Sequence, residues 1–245
     1  MTTTKKIALV TGATRGIGLE TVRQLAQQDA HVILAGRDYA KADAAAQALR
    51  KQNLDVEAIA LDVTDGRSIA AAAAQIEKKH GRLDILVNNA GIMIDDTTKS
   101  PSQQPLENWR RTFDTNVFGL IAVTQAFLPL LKKSAAGRIV NVSSLLGSIT
   151  QHADPSSLIY DYKAPVSYNV SKSTVNAWTV QLAHELRNTS IKVNAIHPGH
   201  VKTDMGGETA PMEIAEGAKT SVELALIGAS GPNGSFSHLG QTLPW

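Results

Sequence analysis

The sequence of 245 residues contains no cysteine. Disulfide bonds, thiolate zinc sites and cysteine nucleophiles are therefore excluded. The seven histidines are scattered along the chain without metal-ligand spacing, so we expect no metal in the catalytic site. His197 and His200 are three residues apart, but the proline and glycine between them argue against a pair of ligands on one helix.

Charge of one sign and long apolar runs are also lacking. The formal net charge is +2 with no block of Lys or Arg, which gives no support for a nucleic acid or an anionic membrane as partner. The segment Met1–Lys6 is polar, and the apolar run Ile7–Val10 is too brief for a signal peptide. No apolar stretch approaches a membrane span. We therefore expect a cytoplasmic protein whose partner is a small molecule.

Short apolar runs alternate with segments of helical periodicity along the chain. The predicted strands are Ile7–Val10, His31–Ala35, Val56–Leu61, Leu83–Val87, Gly137–Ser144, Ile191–Ile196 and Gly234–His238. The predicted helices are one beginning at Leu19 and those at Tyr39–Lys51, Ser68–His80, Leu106–Leu131, Val166–Leu186 and Glu213–Leu226. This alternation predicts an α/β fold with a parallel, doubly wound, Rossmann-type sheet of about seven strands. No linker or repeat interrupts it, so residues 1–245 are expected to form one domain.

A glycine-rich turn, T-G-x-x-x-G-x-G, follows the first strand from Thr11 to Gly18. Its glycines let the backbone turn tightly and approach a pyrophosphate, whose charge then meets the N-terminus of the next helix. No G-K-[S/T] closes the turn, so it is not a mononucleotide P-loop. An ordinary glycine-rich turn is the alternative, but its place at the first strand–helix junction favours dinucleotide binding.

The end of the second predicted strand indicates which dinucleotide is bound. A carboxylate there would accept hydrogen bonds from a ribose 2′-hydroxyl and repel a 2′-phosphate. This chain has Gly36 and Arg37, and Arg15 of the glycine turn can reach the same place. Two guanidiniums suit a phosphate, which favours NADP(H). We interpret Asp38 as the N-cap of the helix Tyr39–Lys51, and a solvated surface charge is the alternative for Arg37.

Tyr168 and Lys172 lie four residues apart in the predicted helix Val166–Leu186, so their side chains share one face. A nearby cation favours phenolate and is expected to lower the pKa of Tyr168 from its ordinary value near ~10. Such a phenol can donate a proton to a carbonyl or accept one from an alcohol. Alone the pair is weak evidence, since it also arises by chance on amphipathic helices.

Polar residues occur elsewhere at positions suited to a site. Asp62 and Val63 end the third predicted strand and are placed to flank an adenine ring. Asn88–Gly91 ends the fourth, where open α/β sheets bind ligands. Asn116 falls in the middle of a helix, either as a satisfied packing residue or as the holder of a water.

Together these elements resemble the short-chain dehydrogenase/reductase family, and the resemblance covers essentially the whole chain. The matching elements, in family order and spacing, are Thr11-Gly12-x-x-x-Gly16-Ile17-Gly18, Asn88-Asn89-Ala90-Gly91, Asn116, the strand ending in Ser144, Tyr168-x-x-x-Lys172 and Pro198-Gly199-x-Val201-x-Thr203. The resemblance implies a seven-stranded sheet and hydride transfer between a nicotinamide cofactor and a carbonyl or alcohol.

The resemblance also implies roles for individual residues. Tyr168 would be the acid/base, and Lys172 would lower its pKa and bind the nicotinamide ribose. Ser144 would hydrogen-bond the substrate oxygen, with Ser143 as the less favoured alternative. Asn116 would position a water that relays protons to Lys172. Basic residues at the places of Arg15 and Arg37 accompany NADP use in the family. The residues expected to contact the cofactor are Gly12, Thr14, Arg15, Gly16, Ile17, Gly18, Arg37, Asp62, Val63, Asn89, Ala90, Gly91, Tyr168, Lys172, Pro198, Gly199, Val201 and Thr203.

The separation of Ser144 from Tyr168 is longer than in most of the family and resembles the carbonyl-reductase-like branch. We expect the insert, Leu145–Ser167, to be a loop over the substrate site, next to a mobile segment at Val201–Pro211. The predicted function is NADPH-dependent reduction of a ketone or aldehyde by a homodimer or homotetramer. The alternatives are a 3-oxoacyl-thioester reductase, an NAD-dependent secondary-alcohol dehydrogenase and, remotely, a non-catalytic NADP-sensing regulator.

Overall fold

The computed structural model describes residues 5–245. Most of the polar segment Met1–Lys6 lies outside this range, so the expectation that it is not a signal peptide stays a prediction. The strands are β1 (Ile7–Val10), β2 (His31–Gly36), β3 (Val56–Ala60), β4 (Ile85–Asn88), β5 (Arg138–Val142), β6 (Lys192–Ile196), β7 (Phe236–His238) and β8 (Gln241–Thr242). They form one sheet of order β3-β2-β1-β4-β5-β6-β7-β8. The predicted parallel sheet is confirmed for β1 to β7. The additional strand β8 is exposed, two residues long and antiparallel to β7, so no hydrophobic pattern marks it.

The strand order places the site. Val10 at the end of β1 pairs with Leu34 of β2 on one side and with Val87 of β4 on the other. The chain winds outward in opposite directions from β1 and β4. The carboxyl ends of these two strands therefore border the crevice in which such sheets bind their ligands.

Helices cover both faces of the sheet. They are α1 (Gly16–Gln27), α2 (Tyr39–Arg50), α3 (Gly66–His80), α4 (Leu106–Phe113), α5 (Leu120–Leu131), α6 (Ile149–Ala153), α7 (Val166–Glu185) and α8 (Ile214–Leu226). Side chains alternate along a strand, so Leu9 joins the core formed with α3, α5 and α7. Its neighbour Val10 joins the core formed with α1, α2 and α8. Both residues are fully buried, as a sheet covered on two faces requires.

The helix predicted over Leu106–Leu131 is interrupted. Residues Asp114–Gly119 form a π-helical turn between α4 and α5, and Asn116 lies within it. A Cβ at Gly119 would lie 2.7 Å from the Val63 carbonyl oxygen, so glycine permits a close contact with the loop after β3. Wider turns of this kind are frequent at functional sites. Helical periodicity does not distinguish them from a regular helix.

The same stretch corrects the expectation about membrane spans. Residues Leu106–Leu131 are long and apolar enough to cross a membrane by composition alone, with a mean hydropathy of 1.3 in the relevant window. Half of that window is buried within the protein. Phe127 of this stretch is fully buried in the core against the sheet. A buried helix of a packed domain can therefore be as long and as apolar as a membrane-spanning helix.

The insert between β5 and α7 is partly helical, contrary to the expected loop. A 3₁₀ turn at Leu145–Gly147 leads into α6. The backbone amide of Thr150 donates to the carbonyl of the last residue, Trp245, at 2.9 Å. In the second variable segment, Val201 forms an isolated bridge with Met212. The mobility expected of Val201–Pro211 stays a prediction.

Candidate active site

The structure brings Tyr168 and Lys172 together on the buried face of α7. The Lys172 ammonium lies 5.5 Å from the centre of the Tyr168 ring. Its Nζ donates a hydrogen bond of 2.7 Å to the carbonyl oxygen of Val142, the last residue of β5. The helix is thus held against the carboxyl edge of the sheet, beside the crevice between β1 and β4.

The pKa of Tyr168 shifts in the direction opposite to the one expected from sequence. Burial raises the pKa of Tyr168 to about 12, while the Ser144 hydroxyl beside it acts in the other direction. Burial lowers the pKa of Lys172 to about 8. Desolvation prevails because both groups are shielded from water and the lysine donates its hydrogen bond to a backbone carbonyl. In the free protein the phenol is therefore neutral at physiological pH.

The two serines after β5 point in different directions, as strand alternation predicts. Ser144 faces Tyr168, and its Oγ accepts a hydrogen bond from the Leu146 amide at 3.2 Å. Ser143 is buried and donates its hydroxyl to the Lys172 carbonyl at 3.3 Å. Ser144 is thus the serine that lies beside Tyr168, and Ser143 connects β5 to α7.

Asn116 connects three parts of the site. Its Nδ2 donates to the Ile92 carbonyl at 2.9 Å and to Ser171 Oγ at 3.0 Å, while its Oδ1 accepts from the Ile92 amide at 2.8 Å. Both donors are used, and one lone pair of Oδ1 remains. A Cβ at Gly91 would lie 3.5 Å from that Oδ1 and 3.5 Å from Lys172 Nζ. Asn116 is therefore hydrogen-bonded as a packing residue would be. The proton relay stays a prediction, and the remaining lone pair of Oδ1 is the position at which a water could bind.

The glycine turn forms a cradle at the crevice. Gly12 has a φ of +61°, and a Cβ there would lie 2.8 Å from the Ala90 Cα, so a larger residue is strained at this position. Asn89 donates its amide to the Thr11 carbonyl at 2.9 Å, which joins the turn to the end of β4. Helix α1 starts at Gly16, and its N-cap Arg15 makes no side-chain capping bond within residues 5–245. Its first N–H groups can thus meet an anion, and these residues fit the pyrophosphate of a dinucleotide.

The residues expected to select a phosphate occupy different surroundings. The Asp38 side chain accepts from the Lys41 amide at 3.2 Å, which confirms it as the N-cap of α2. Arg37 is exposed and contributes a small part of the lowering of the Asp62 pKa, which hydrogen bonds from Thr64 dominate. Arg15 forms an exposed ion pair with Asp204. Such pairs are weak in water, so Arg15 can exchange this partner for another anion at small cost.

Comparisons with known proteins agree with this geometry. The family model described as short chain dehydrogenase matches residues 6–214. The chain is 34% identical to Carbonyl reductase [NADPH] 1 of Mus musculus over 282 aligned positions that cover 100% of both proteins. It is 37% identical to Short-chain dehydrogenase anuI of Penicillium roqueforti over 234 positions, covering 92% of this chain and 90% of the other. This chain belongs to the short-chain dehydrogenase family.

Solved structures of the family superpose well on this short-chain dehydrogenase. The NADPH-bound carbonyl reductase from chicken fatty liver matches with a TM-score of 0.86 at 31% identity, covering 98% of this chain and 99% of that one. Salutaridine reductase from Papaver somniferum matches with a TM-score of 0.81 at 29% identity, covering 95% and 99%. The predicted family and its carbonyl-reductase-like character are confirmed.

Helix α7, which carries Tyr168 and Lys172, is capped by a residue that sequence reasoning missed. The Asp95 carboxylate accepts from the backbone amides of Ser167 at 2.7 Å and of Tyr168 at 3.2 Å. The N-cap position of α7 is Pro165, whose side chain forms no capping bond within the described residues. Asp95 therefore takes over that task from a distant loop and fixes the first turn beside Tyr168. No local sequence motif marks it.

His197 holds a backbone amide close to Ser144, a role that its sequence context does not indicate. Its ring is partly buried, and Nδ1 accepts a hydrogen bond from the Leu145 amide at 3.1 Å. Burial lowers the pKa of His197 to about 3, so the ring is neutral. It positions the backbone directly after Ser144. Nearby Gly199, one of the predicted cofactor residues, has a φ of +95° and lies close to Met212.

Proposed function

We propose that this short-chain dehydrogenase is an NADPH-dependent carbonyl reductase of ketones or aldehydes. The observation that carries the proposal is the neutral, buried Tyr168 phenol, with Ser144 beside it and the Lys172 ammonium close to its ring. Those three groups are what proton delivery to a carbonyl oxygen requires.

Each side chain has a step that its position supports. A bound nicotinamide cofactor supplies the hydride. The Ser144 hydroxyl donates a hydrogen bond to the substrate carbonyl oxygen, where negative charge develops. Tyr168 gives its phenolic proton to that oxygen. The adjacent Lys172 ammonium stabilises the tyrosinate left behind, because opposite charges attract strongly where water is excluded.

The protonation state of the free site matches the state from which reduction starts. A phenol whose pKa is raised to about 12 holds its proton at neutral pH and is ready to donate it. An alcohol oxidation would need the phenolate at the start. NADPH is favoured because Asp38 is engaged as the cap of α2 and Arg37 is exposed next to it. The names of the mouse and chicken relatives, both of which mention NADPH, support the same choice.

The proposal extends to the setting of the enzyme. We infer a cytoplasmic homo-oligomer, dimeric or tetrameric, that acts on a small-molecule substrate. Exposed apolar side chains on the α4–α5 stretch, Leu106 and Phe118, support an association surface there. We expect the insert and Val201–Pro211 to border the site and to select the substrate.

The direct test is NADPH oxidation with a panel of activated ketones and aldehydes, measured in parallel with NADH. We expect turnover with at least one carbonyl compound and a higher kcat/KM for NADPH than for NADH. A 3-oxoacyl thioester belongs in the panel, since strong selectivity for it would indicate the thioester reductase instead. Tight NADPH binding without turnover of any compound would contradict the proposal and favour a regulator that senses NADP.

The pH dependence of reduction is expected to follow Lys172. Its pKa is lowered to about 8, so the ammonium is present below that pH and is lost above it. Tyr168, with a pKa of about 12, keeps its proton throughout. The value of kcat/KM should therefore be level near neutrality and decline with an apparent pKa of about 8. A circular dichroism control at each pH checks the fold. A level profile far into the alkaline range would contradict this assignment.

A further inference from the structure

A second cluster of polar side chains lies at the amino end of the sheet, opposite to the catalytic site. His31 begins β2, Glu57 lies near the start of β3, and His80 ends α3. One ligating atom of each lies within 4.8 Å of those of the other two. These residues are far apart in the sequence, and the fold brings two of the scattered histidines together.

Asp55 orients the first of these imidazoles. His31 Nδ1 lies 2.8 Å from Asp55 Oδ1, which assigns the Nδ1 hydrogen to this bond. When the ring is neutral, the other nitrogen, Nε2, carries the lone pair, although the neighbouring carboxylates of Glu57 and Asp55 raise the pKa of His31. This Nε2 is buried and has no hydrogen-bond partner among residues 5–245, although Glu57 Oε1 is 3.4 Å away. Histidines that bind a metal through one ring nitrogen usually donate the N–H of the other nitrogen to a carboxylate, as His31 does to Asp55.

One of the distances between these ligand atoms already suits a small tetrahedral ion. Ligands at about 2.0–2.1 Å from zinc are about 3.3 Å from one another, and the His31–Glu57 separation of 3.4 Å already matches. His80 Nε2 hydrogen-bonds the same Glu57 oxygen at 2.7 Å, so this ring must withdraw by roughly half an ångström. The second oxygen of Glu57 forms an ion pair with Lys79. One oxygen of Glu57 therefore faces both imidazoles, and the other is paired with the ammonium group of Lys79.

We propose that His31, Glu57 and His80 form a binding site for a zinc-like divalent transition metal, distinct from the catalytic site. Two imidazoles and one carboxylate are ligands that suit Zn²⁺, Co²⁺ or Ni²⁺, whereas Mg²⁺ and Ca²⁺ prefer sets made only of oxygen. A water completes the coordination, since the side chains of His31 and Glu57 are each 20% exposed. The ion would join β2, β3 and α3, so its effect is on stability and not on hydride transfer.

Binding is tested on the untagged protein after treatment with a chelator, because a histidine tag would itself bind the ion. Calorimetric titration with Zn²⁺ should show one equivalent, with a rise in Tm that grows with the free metal concentration. Co²⁺ should give the visible absorption of a tetrahedral ion with nitrogen ligands. Mg²⁺ serves as the control and should leave Tm unchanged.

Three variants make the test specific. His80→Gln should weaken Zn²⁺ affinity by at least about tenfold, because even the loss of a residue that only hydrogen-bonds a metal ligand typically weakens metal binding by that factor. His184→Gln, which alters an exposed histidine at the end of α7, should bind like the wild type. Lys79→Ala should bind Zn²⁺ more tightly, because it removes a cation that competes at Glu57.

The outcomes separate the possibilities. Equal binding by the wild type and His80→Gln, or no binding by the wild type, would overturn the site. If His80→Gln does not fold, the result for Lys79→Ala decides, since weaker or unchanged Zn²⁺ binding there contradicts the proposal. Affinity for NADPH should be the same with and without Zn²⁺. A failure of the proposed reductase activity would leave this result untouched.

Discussion

Replacing Tyr168 with phenylalanine is expected to lower kcat for ketone reduction by about 10²–10⁴-fold, the usual contribution of a positioned general acid. The ring and its buried packing are retained, and only the hydroxyl beside Ser144 is lost. The Kd for NADPH, measured by fluorescence titration, should stay close to that of the wild type. Because kcat and the Kd for NADPH are measured on the same variant, a loss of proton delivery can be told apart from a loss of cofactor binding.

A matched control removes a tyrosine hydroxyl away from the proposed proton donor. Tyr39→Phe, at the exposed start of α2, should keep the wild-type kcat. If Tyr168→Phe retains most of its turnover, the acid role of Tyr168 is wrong and the proton must come from another group. If NADPH binding disappears together with turnover, the hydroxyl serves the cofactor and not the substrate.

Replacing Arg37 with aspartate should weaken NADPH binding by at least about tenfold, or 1.4 kcal/mol, and leave NADH binding nearly unchanged. The substitution removes the guanidinium that we assign to the 2′-phosphate and puts a repelling carboxylate in its place. Arg15 would keep part of the affinity, since it can leave its exposed pair with Asp204. Titration of the apo-protein with both cofactors measures the preference directly.

The control for this variant matches its change in charge. Arg187→Asp alters an exposed arginine just beyond α7, at the opposite end of the sheet, and should bind both cofactors like the wild type. Equal losses of NADPH and NADH in Arg37→Asp would refute the phosphate assignment. A wild-type preference for NADH would mean that Asp38 reaches the ribose in spite of its bond to Lys41, and an alcohol dehydrogenase would then be favoured.

Local patterns in the sequence were sufficient for much of the fold. Apolar runs separated by helical segments predicted the parallel strands, because burial on both faces requires such runs and crossover helices require the spacing between them. Asp38 was predicted as a helix cap, and the structure confirms it, because capping depends on the next three residues alone. Elements without a strong periodicity were missed, such as β8, the helical turns of the insert and the π-helical turn around Asn116.

By itself, the sequence of this short-chain dehydrogenase determined which groups share a surface at short range. Tyr168 and Lys172 lie on one face because the helix repeats every 3.6 residues, and Gly12 permits the tight turn after β1. Only the tertiary structure decided what surrounds them. Asp95 caps α7 although it lies 72 residues before Ser167 in the sequence. The packing of α3 against the sheet brings the ring centres of His31 and His80 within 5.0 Å of each other. The direction of the Tyr168 pKa shift was also decided there, because desolvation depends on all the chain packed around a group and not on its neighbours in sequence.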